Sequence, residues 1–160
     1  MILAAPRESR LLVYVTAFIA LLLTLLPLAK YLAIIRPPFL VVVILYWSTM
    51  TPRAGGILIG FLAGMTLDLL QGSQLGEHAL ALSFVTYLAV RLHLLTRAKP
   101  IFEQSLFALI ALLLYETLLW AIDGWSGHPL SSPLRWLPAL TGAAIWPVVV
   151  GLLGRLHTPR

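Results

Sequence analysis

The stretch LLVYVTAFIALLLTLLPLA, residues 11–29, runs for 19 positions without a charged side chain. A helix rises about 1.5 Å per residue, so this run covers roughly 28 Å, close to the about 30 Å of a bilayer's hydrocarbon core. Arg7 and Arg10 precede it, as basic residues precede a secretory signal. The run is longer than the roughly 7–15 residues of a signal's apolar region, and no clear small-x-small cleavage site follows, so it reads as an uncleaved first span. The whole chain has the same character: of 160 residues, 60% are hydrophobic and 11% charged. An ordinary soluble domain has about 45–50% apolar and about 25% charged residues. A chain this apolar cannot cover a water-facing surface with polar groups, and a disordered tail needs the opposite balance. The class is an all-α integral membrane protein, a single polytopic domain over residues 1–160 with no room for a separate soluble unit.

Outward from the first run, six apolar segments succeed one another: residues 11–33, 37–51, 54–70, 78–90, 103–122 and 136–154. Arg36-Pro37-Pro38 opens the second, where proline at a first helical turn loses no needed hydrogen bond. The second, third and fourth segments are short for full spans, which implies thin or steeply packed helices, or helices extended into their polar flanks. Residues 123–135 gather Gly124, Gly127, Pro129, Ser131, Ser132 and Pro133, a dense cluster of turn formers. With the N-terminus in the cytoplasm, Arg7, Arg10, Arg53, Arg91, Arg97, Lys99, Arg155 and Arg160 lie inside, and Lys30, Arg36 and Arg135 outside. Eight basic residues against three favour six transmembrane helices with both termini cytoplasmic. Tyr31, Trp120, Trp125 and Trp136 then fall near the outer boundary, and Tyr14 and Trp47 near the inner one. The formal charge of +5 reflects orientation in the membrane rather than a nucleic-acid surface, because the basic residues are scattered between apolar runs.

The third segment carries Gly56, Gly60, Gly64, Asp68 and Gly72 at intervals of four. Residues four apart share a helix face, drifting about 40° per step on a straight helix. Small residues at this spacing let another backbone approach closely, which drives helix association in lipid. The seam serves either packing inside the chain or docking of another protein. An aspartate at the centre of a span costs roughly 2.5–3.5 kcal/mol, while each Ile, Leu or Phe around it returns roughly 0.3–0.6 kcal/mol. The segment therefore inserts with little to spare, and Asp68 is expected to face protein or the headgroup zone. The turn that follows, with Gly72, Ser73, Gln74, Gly76, Glu77 and His78, is the most polar stretch of the hydrophobic middle. It reads as a self-satisfying hairpin, with Ser73 or Gln74 capping free backbone groups and His78 reaching toward Asp68, or as a ligand site. One Asp, one Glu and one His without defined spacing do not make a metal site.

Glu116 is the second intramembrane carboxylate, with Arg36 and Arg135 as candidate partners and a protonated, hydrogen-bonded form as the alternative. A proton relay would need titratable groups across the bilayer, and none lies in the inner half. Arg91 and His93 close the fourth segment, and Arg91, Arg97 and Lys99 form a basic cluster suited to lipid phosphates or a cytoplasmic partner. The chain has no cysteine. Gly-x-Ser-x-Gly, His-Glu-x-x-His and Walker-type patterns are missing, and His78, His93, His128 and His157 are scattered. Neither an enzyme nor a cofactor is implied.

RPPFLVVVILYW (36–47), GFLAGMTLDLLQGSQLGEHALA (60–81) and YLAVRLH (87–93) resemble the bacterial rod shape-determining protein MreD family. The most specific run matches at Gly64, Asp68, Gly72, Ser73, Gly76, His78, Ala79 and Leu80; the last third of the chain has no comparable motif. Members often have a polar residue after Arg-Pro, where this chain has Pro38. The resemblance implies a multi-pass subunit of the bacterial inner membrane, without enzymatic activity, in the peptidoglycan elongation machinery. MreC, the RodA glycosyltransferase, a class B penicillin-binding transpeptidase and the MreB filament are the partners it implies, beside membrane lipids. It also implies helices similar to those of the substrate-capture subunits of energy-coupling-factor vitamin transporters, an analogy of fold alone. Two functions remain open: a scaffold working through helix–helix contacts, and a small-solute-binding transporter subunit. The second requires an outward pocket lined by Asp68, His78, Glu116 and Trp120.

Overall fold

A computed structural model describes residues 7–127 and 132–157, and these residues are helical apart from short connections. The helices are α1 (Arg7–Leu25), α2 (Lys30–Ile34), α3 (Phe39–Met50), α4 (Ile57–Gln71), α5 (Glu77–Arg97), α6 (Ile101–Trp125) and α7 (Leu137–His157), with a short 3-10 turn at Pro133–Trp136. His128, Pro129, Ser131 and Arg160, used in the readings above, lie outside the described residues. Among the described residues, four stretches are long and apolar enough to cross a bilayer: Lys30–Met50, Glu77–Arg97, Ile101–Trp125 and Pro133–Leu156. Arg10–Leu25 and Ile57–Gln71 are apolar but shorter.

The helix limits differ from the apolar runs for local reasons. The first run is not one helix to residue 33: α1 stops at Leu25, and the chain restarts at Lys30. Pro27 has no N–H to continue the ladder and drives Leu26 out of the helical region. Pro37 and Pro38 likewise separate α2 from α3. The fourth segment is longer than its apolar run, because α5 continues past Val90 to Arg97. Arg91 ends a hydropathy run but not a helix, since arginine and leucine are both good helix formers.

Helix α3 is apolar on all sides and is buried on all sides, from Leu40 through Thr49 with the exception of half-buried Val43. It packs against α1, α5 and α7. The Trp47 indole Nε1 donates to Thr16 Oγ1 at 2.9 Å, which fastens α1 to the centre. Thr16→Val keeps the shape and removes this bond. Polar contacts between membrane helices average about 0.6 kcal/mol and reach about 1.7 kcal/mol. A detergent thermal scan followed by tryptophan fluorescence is expected to show a loss in that range, and no loss would mean that apolar packing alone positions α1. After α3 the chain turns back so tightly that a Cβ on Gly55 would lie 2.7 Å from the Trp47 carbonyl carbon. The outward faces carry Phe18, Leu58, Leu62, Leu69, Phe102, Ile110 and Val148, all exposed, as a surface solvated by lipid requires.

Candidate functional site

The small-residue seam is occupied from within the chain. A Cβ on Gly64 would sit 2.4 Å from Ala79 Cα and 2.6 Å from Ala79 N, so α4 and α5 meet backbone to backbone there. A Cβ on Gly60 would sit 2.5 Å from Thr86 Oγ1. Of the five positions spaced by four, only Gly60, Gly64 and Asp68 lie on the buried face of α4. The expectation of one continuous stripe is corrected at its ends. Gly56 precedes the helix as its N-cap, and Gly72 stops it with φ +66°, the left-handed C-terminal conformation glycine permits.

Asp68 ends this face and is 1% exposed. Its Oδ1 accepts from Ser73 Oγ at 3.0 Å, from the His78 backbone N–H at 2.9 Å, and lies 2.9 Å from His78 Nδ1. Its Oδ2 accepts from the N–H of Gly76 at 2.8 Å and of Ala79 at 3.3 Å. The N-cap of α5 is Gly76, which has no side chain to bond the free amides of the first turn. Asp68 does this from the preceding helix: the amides of Gly76, His78 and Ala79 are among those a helix leaves unpaired at its start. A carboxylate there also opposes the positive end of the helix dipole. Gly76, at φ +100°, lets the chain reverse into this position. The turn is thus closed by the hairpin's own groups, with His78 reaching Asp68 as expected, but the capping expected of Ser73 or Gln74 is done by Asp68, to which Ser73 donates.

Ser73 supplies one donor of several, so Ser73→Ala is expected to lower stability by no more than about 1 kcal/mol. The same thermal scan checks this, and a loss rivalling that of Asp68 itself would mean that the hydroxyl organises the turn. Among the described residues, no group of three or more His, Asp or Glu side chains is placed to hold a metal ion.

A second polar group lies at the same end of the bundle. Arg135 Nε is 3.7 Å from Glu116 Oε2, and Arg135 Nη1 is hydrogen-bonded to Asp123 Oδ2. Of the two arginines proposed as partners for Glu116, Arg135 is therefore beside it. Arg36 donates from Nη1 to the Leu26 carbonyl at 2.9 Å instead, because the interruption at Pro27 brings that carbonyl within reach. The sequence does not single out Asp123, because it opens the turn-rich stretch 123–135; in the structure α6 continues through it to Trp125, which holds its carboxylate beside Arg135. Ser126 Oγ donates to Gln74 Oε1 at 2.7 Å, which ties the α4–α5 turn to the end of α6.

Between these elements lies a cavity of about 320 Å³ whose wall includes Arg36, Gln71, His78, Tyr115 and Glu116. Asp68 and Trp120, expected on such a pocket, are not on its wall. Asp68 is turned into the hairpin, and Trp120 lies against Trp136 with ring centroids 6.4 Å apart. Arg91 and His93 stand apart from the turn, about 20 Å along α5 from His78. Arg91 is exposed, and His93 is half-buried with Nδ1 2.6 Å from the Val90 carbonyl. Gly142, which no spacing pattern flagged, packs α7 against Leu112, whose Cδ1 would lie 2.6 Å from an added Cβ.

The family model for rod shape-determining protein MreD matches residues 8–156. The rod shape-determining protein MreD of Haemophilus influenzae is 32% identical over 142 residues, which cover 87% of this chain and 86% of that relative. The chain belongs to the MreD family. No solved structure matches it. MreD proteins are non-enzymatic membrane proteins that determine rod shape. In this member of the MreD family, the most specific run, Gly64 to Leu80, coincides with the α4–α5 hairpin. Gly64, Asp68, Ser73, Gly76, His78 and Ala79 all take part in its contacts.

Proposed function

We propose that this chain is a scaffold subunit of the peptidoglycan elongation complex in the bacterial cytoplasmic membrane. It crosses the bilayer six times as one domain, with both termini cytoplasmic, and holds MreC and the rod synthases by helix–helix contact. RodA and a class B penicillin-binding transpeptidase are those synthases, and the MreB filament belongs to the same assembly. The carrying observation is the family match over nearly the whole chain. The saturated Asp68 carboxylate supports it, because the polar residues of α4 and its turn serve packing. In this reading Gly60, Gly64, Asp68 and the 72–78 turn act by shaping the bundle, and Arg91 with His93 lies toward cytoplasmic partners.

Replacing the native copy in rod-shaped cells tests the role: the intact chain restores rods, and rounded cells despite normal membrane levels would count against it. The absence of cysteine allows single-cysteine labelling without background. Probes at Arg53 and Ala98 are expected to label from the cytoplasm, and probes at Ser73 and Ser126 from outside. Arg91→Ala removes an exposed charge, so its stability is expected to stay within about 0.5 kcal/mol of the parent while MreC recovery falls. Unchanged recovery would take Arg91 out of the contact.

The cavity favours a second reading, a small-solute-binding subunit built like the substrate-capture subunits of energy-coupling-factor transporters. His78 and Glu116 on the wall support it. Saturable solute binding by the isolated chain would favour this reading, and none is expected of a scaffold.

A further inference from the structure

The cavity holds an unanswered charge. Arg36 lies on its wall, and one guanidinium nitrogen, Nη1, is used by the Leu26 carbonyl. Nε and Nη2 are shielded from solvent and have no hydrogen-bond partner. Those two nitrogens form one edge of the planar fork, the edge that matches two oxygens of a phosphate or carboxylate. A shielded cationic donor without an acceptor is costly, and such a group in a folded chain points to a partner that completes it.

The wall of the same cavity also carries Glu116. A carboxylate offers about four lone-pair positions, and Arg135 at 3.7 Å leaves room among them for a further donor. A cavity lined by both Arg36 and Glu116 suits a ligand that carries an anionic group and a cationic or hydrogen-bond-donating group. The segment bearing Arg36 exposes Leu26, Leu28, Leu32 and Ile35. In a membrane protein this apolar approach admits a molecule with a hydrocarbon tail more readily than a free ion. The volume of about 320 Å³ is at the small end of the roughly 300–1,000 Å³ range of ligand pockets, which suits a headgroup with its tails outside.

We propose that the cavity receives the headgroup of a zwitterionic phospholipid of the phosphoethanolamine class, with its phosphate on the Nε–Nη2 edge of Arg36 and its ammonium toward Glu116. The lipid would fill the gap between the α2–α3 connection, the α4–α5 turn, α6 and the start of α7. It would be a structural ligand of the outer end of the bundle, independent of any protein partner.

The test is retention of defined lipids by the full chain in detergent, read by native mass spectrometry after exchange with phosphatidylethanolamine or phosphatidylglycerol. Inorganic phosphate and free phosphoethanolamine are added as competitors in separate arms. The parent chain is expected to hold phosphatidylethanolamine at least about tenfold more tightly than phosphatidylglycerol, as one lost charge-assisted contact implies. Arg36→Gln should lose both lipids. Arg36→Lys keeps the charge and the fold but not the two-pronged edge, and should bind at least about tenfold more weakly, so it carries the test if Arg36→Gln does not fold. Glu116→Gln should erase the preference between the two lipids while keeping phosphate-dependent retention. Equal retention by the parent and Arg36→Lys, or no preference in the parent, would overturn the proposal. Displacement by millimolar phosphate or phosphoethanolamine would overturn its lipid part and assign the site to a soluble anion.

Discussion

Gly64→Leu is expected to abolish the native packing of α4 on α5 and to leave cells rounded. The obstruction is backbone: an added Cβ would already lie 2.4 Å from Ala79 Cα and 2.6 Å from Ala79 N. Inserting methylenes into a packed interior costs typically about 1–3 kcal/mol when side chains can shift. Here the helices themselves must separate, so Gly64→Ala should reach the upper part of that range and Gly64→Leu exceed it. Total stabilities of about 5–15 kcal/mol leave little margin for such a loss. At Gly60 the obstructing atoms belong to the Thr86 side chain, so Gly60→Ala should be the milder change. Thermal denaturation in detergent orders the three variants. Native-like stability in Gly64→Leu would show that the helices do not meet in this way.

Asp68→Leu should be the second most damaging change, and two effects compete in it. Insertion scales price an aspartate at roughly 2.5–3.5 kcal/mol above zero and favour leucine by roughly 0.3–0.6 kcal/mol, so the variant segment enters the membrane more easily. In the folded chain, however, Asp68 is already out of lipid. Leucine there strips acceptors from the amides of Gly76, His78 and Ala79. A buried donor left alone costs about 1–3 kcal/mol, so the three amides put the loss at roughly 3–9 kcal/mol, against the roughly 3–4 kcal/mol gained on insertion. Asp68→Asn keeps one acceptor oxygen of two and should fall between. The expected outcome is a large drop in melting temperature with normal membrane insertion. A more stable Asp68→Leu chain would mean that Asp68 is kept for an activity rather than for the fold.

The sequence made some of this legible and left the rest dark for physical reasons. Gly60, Gly64 and Asp68 announce a close helix contact because spacing alone puts them on one face. Spacing does not say whether the approaching helix is another part of the chain, and here it is α5. The turn from Gly72 to His78 was readable because its glycines and polar groups have few other uses inside an apolar region. The end of α5 was not, because a charge such as Arg91 interrupts hydropathy without interrupting hydrogen bonding. Glu116 stood out as a carboxylate in lipid, but choosing Arg135 over Arg36 depends on how the chain turns after Pro27. Gly55 and Gly142 are fixed by contacts with Trp47 and Leu112 that no periodicity records.

If the bundle is a scaffold, its partners must travel with it. Isolation of the tagged full chain from its own cells in mild detergent, with partners identified by mass spectrometry, is the most direct measurement. The account predicts recovery of MreC in amounts comparable to the chain, accompanied by RodA and the transpeptidase. A folded, monodisperse chain recovered without MreC, or one that turns over a substrate by itself, would contradict it.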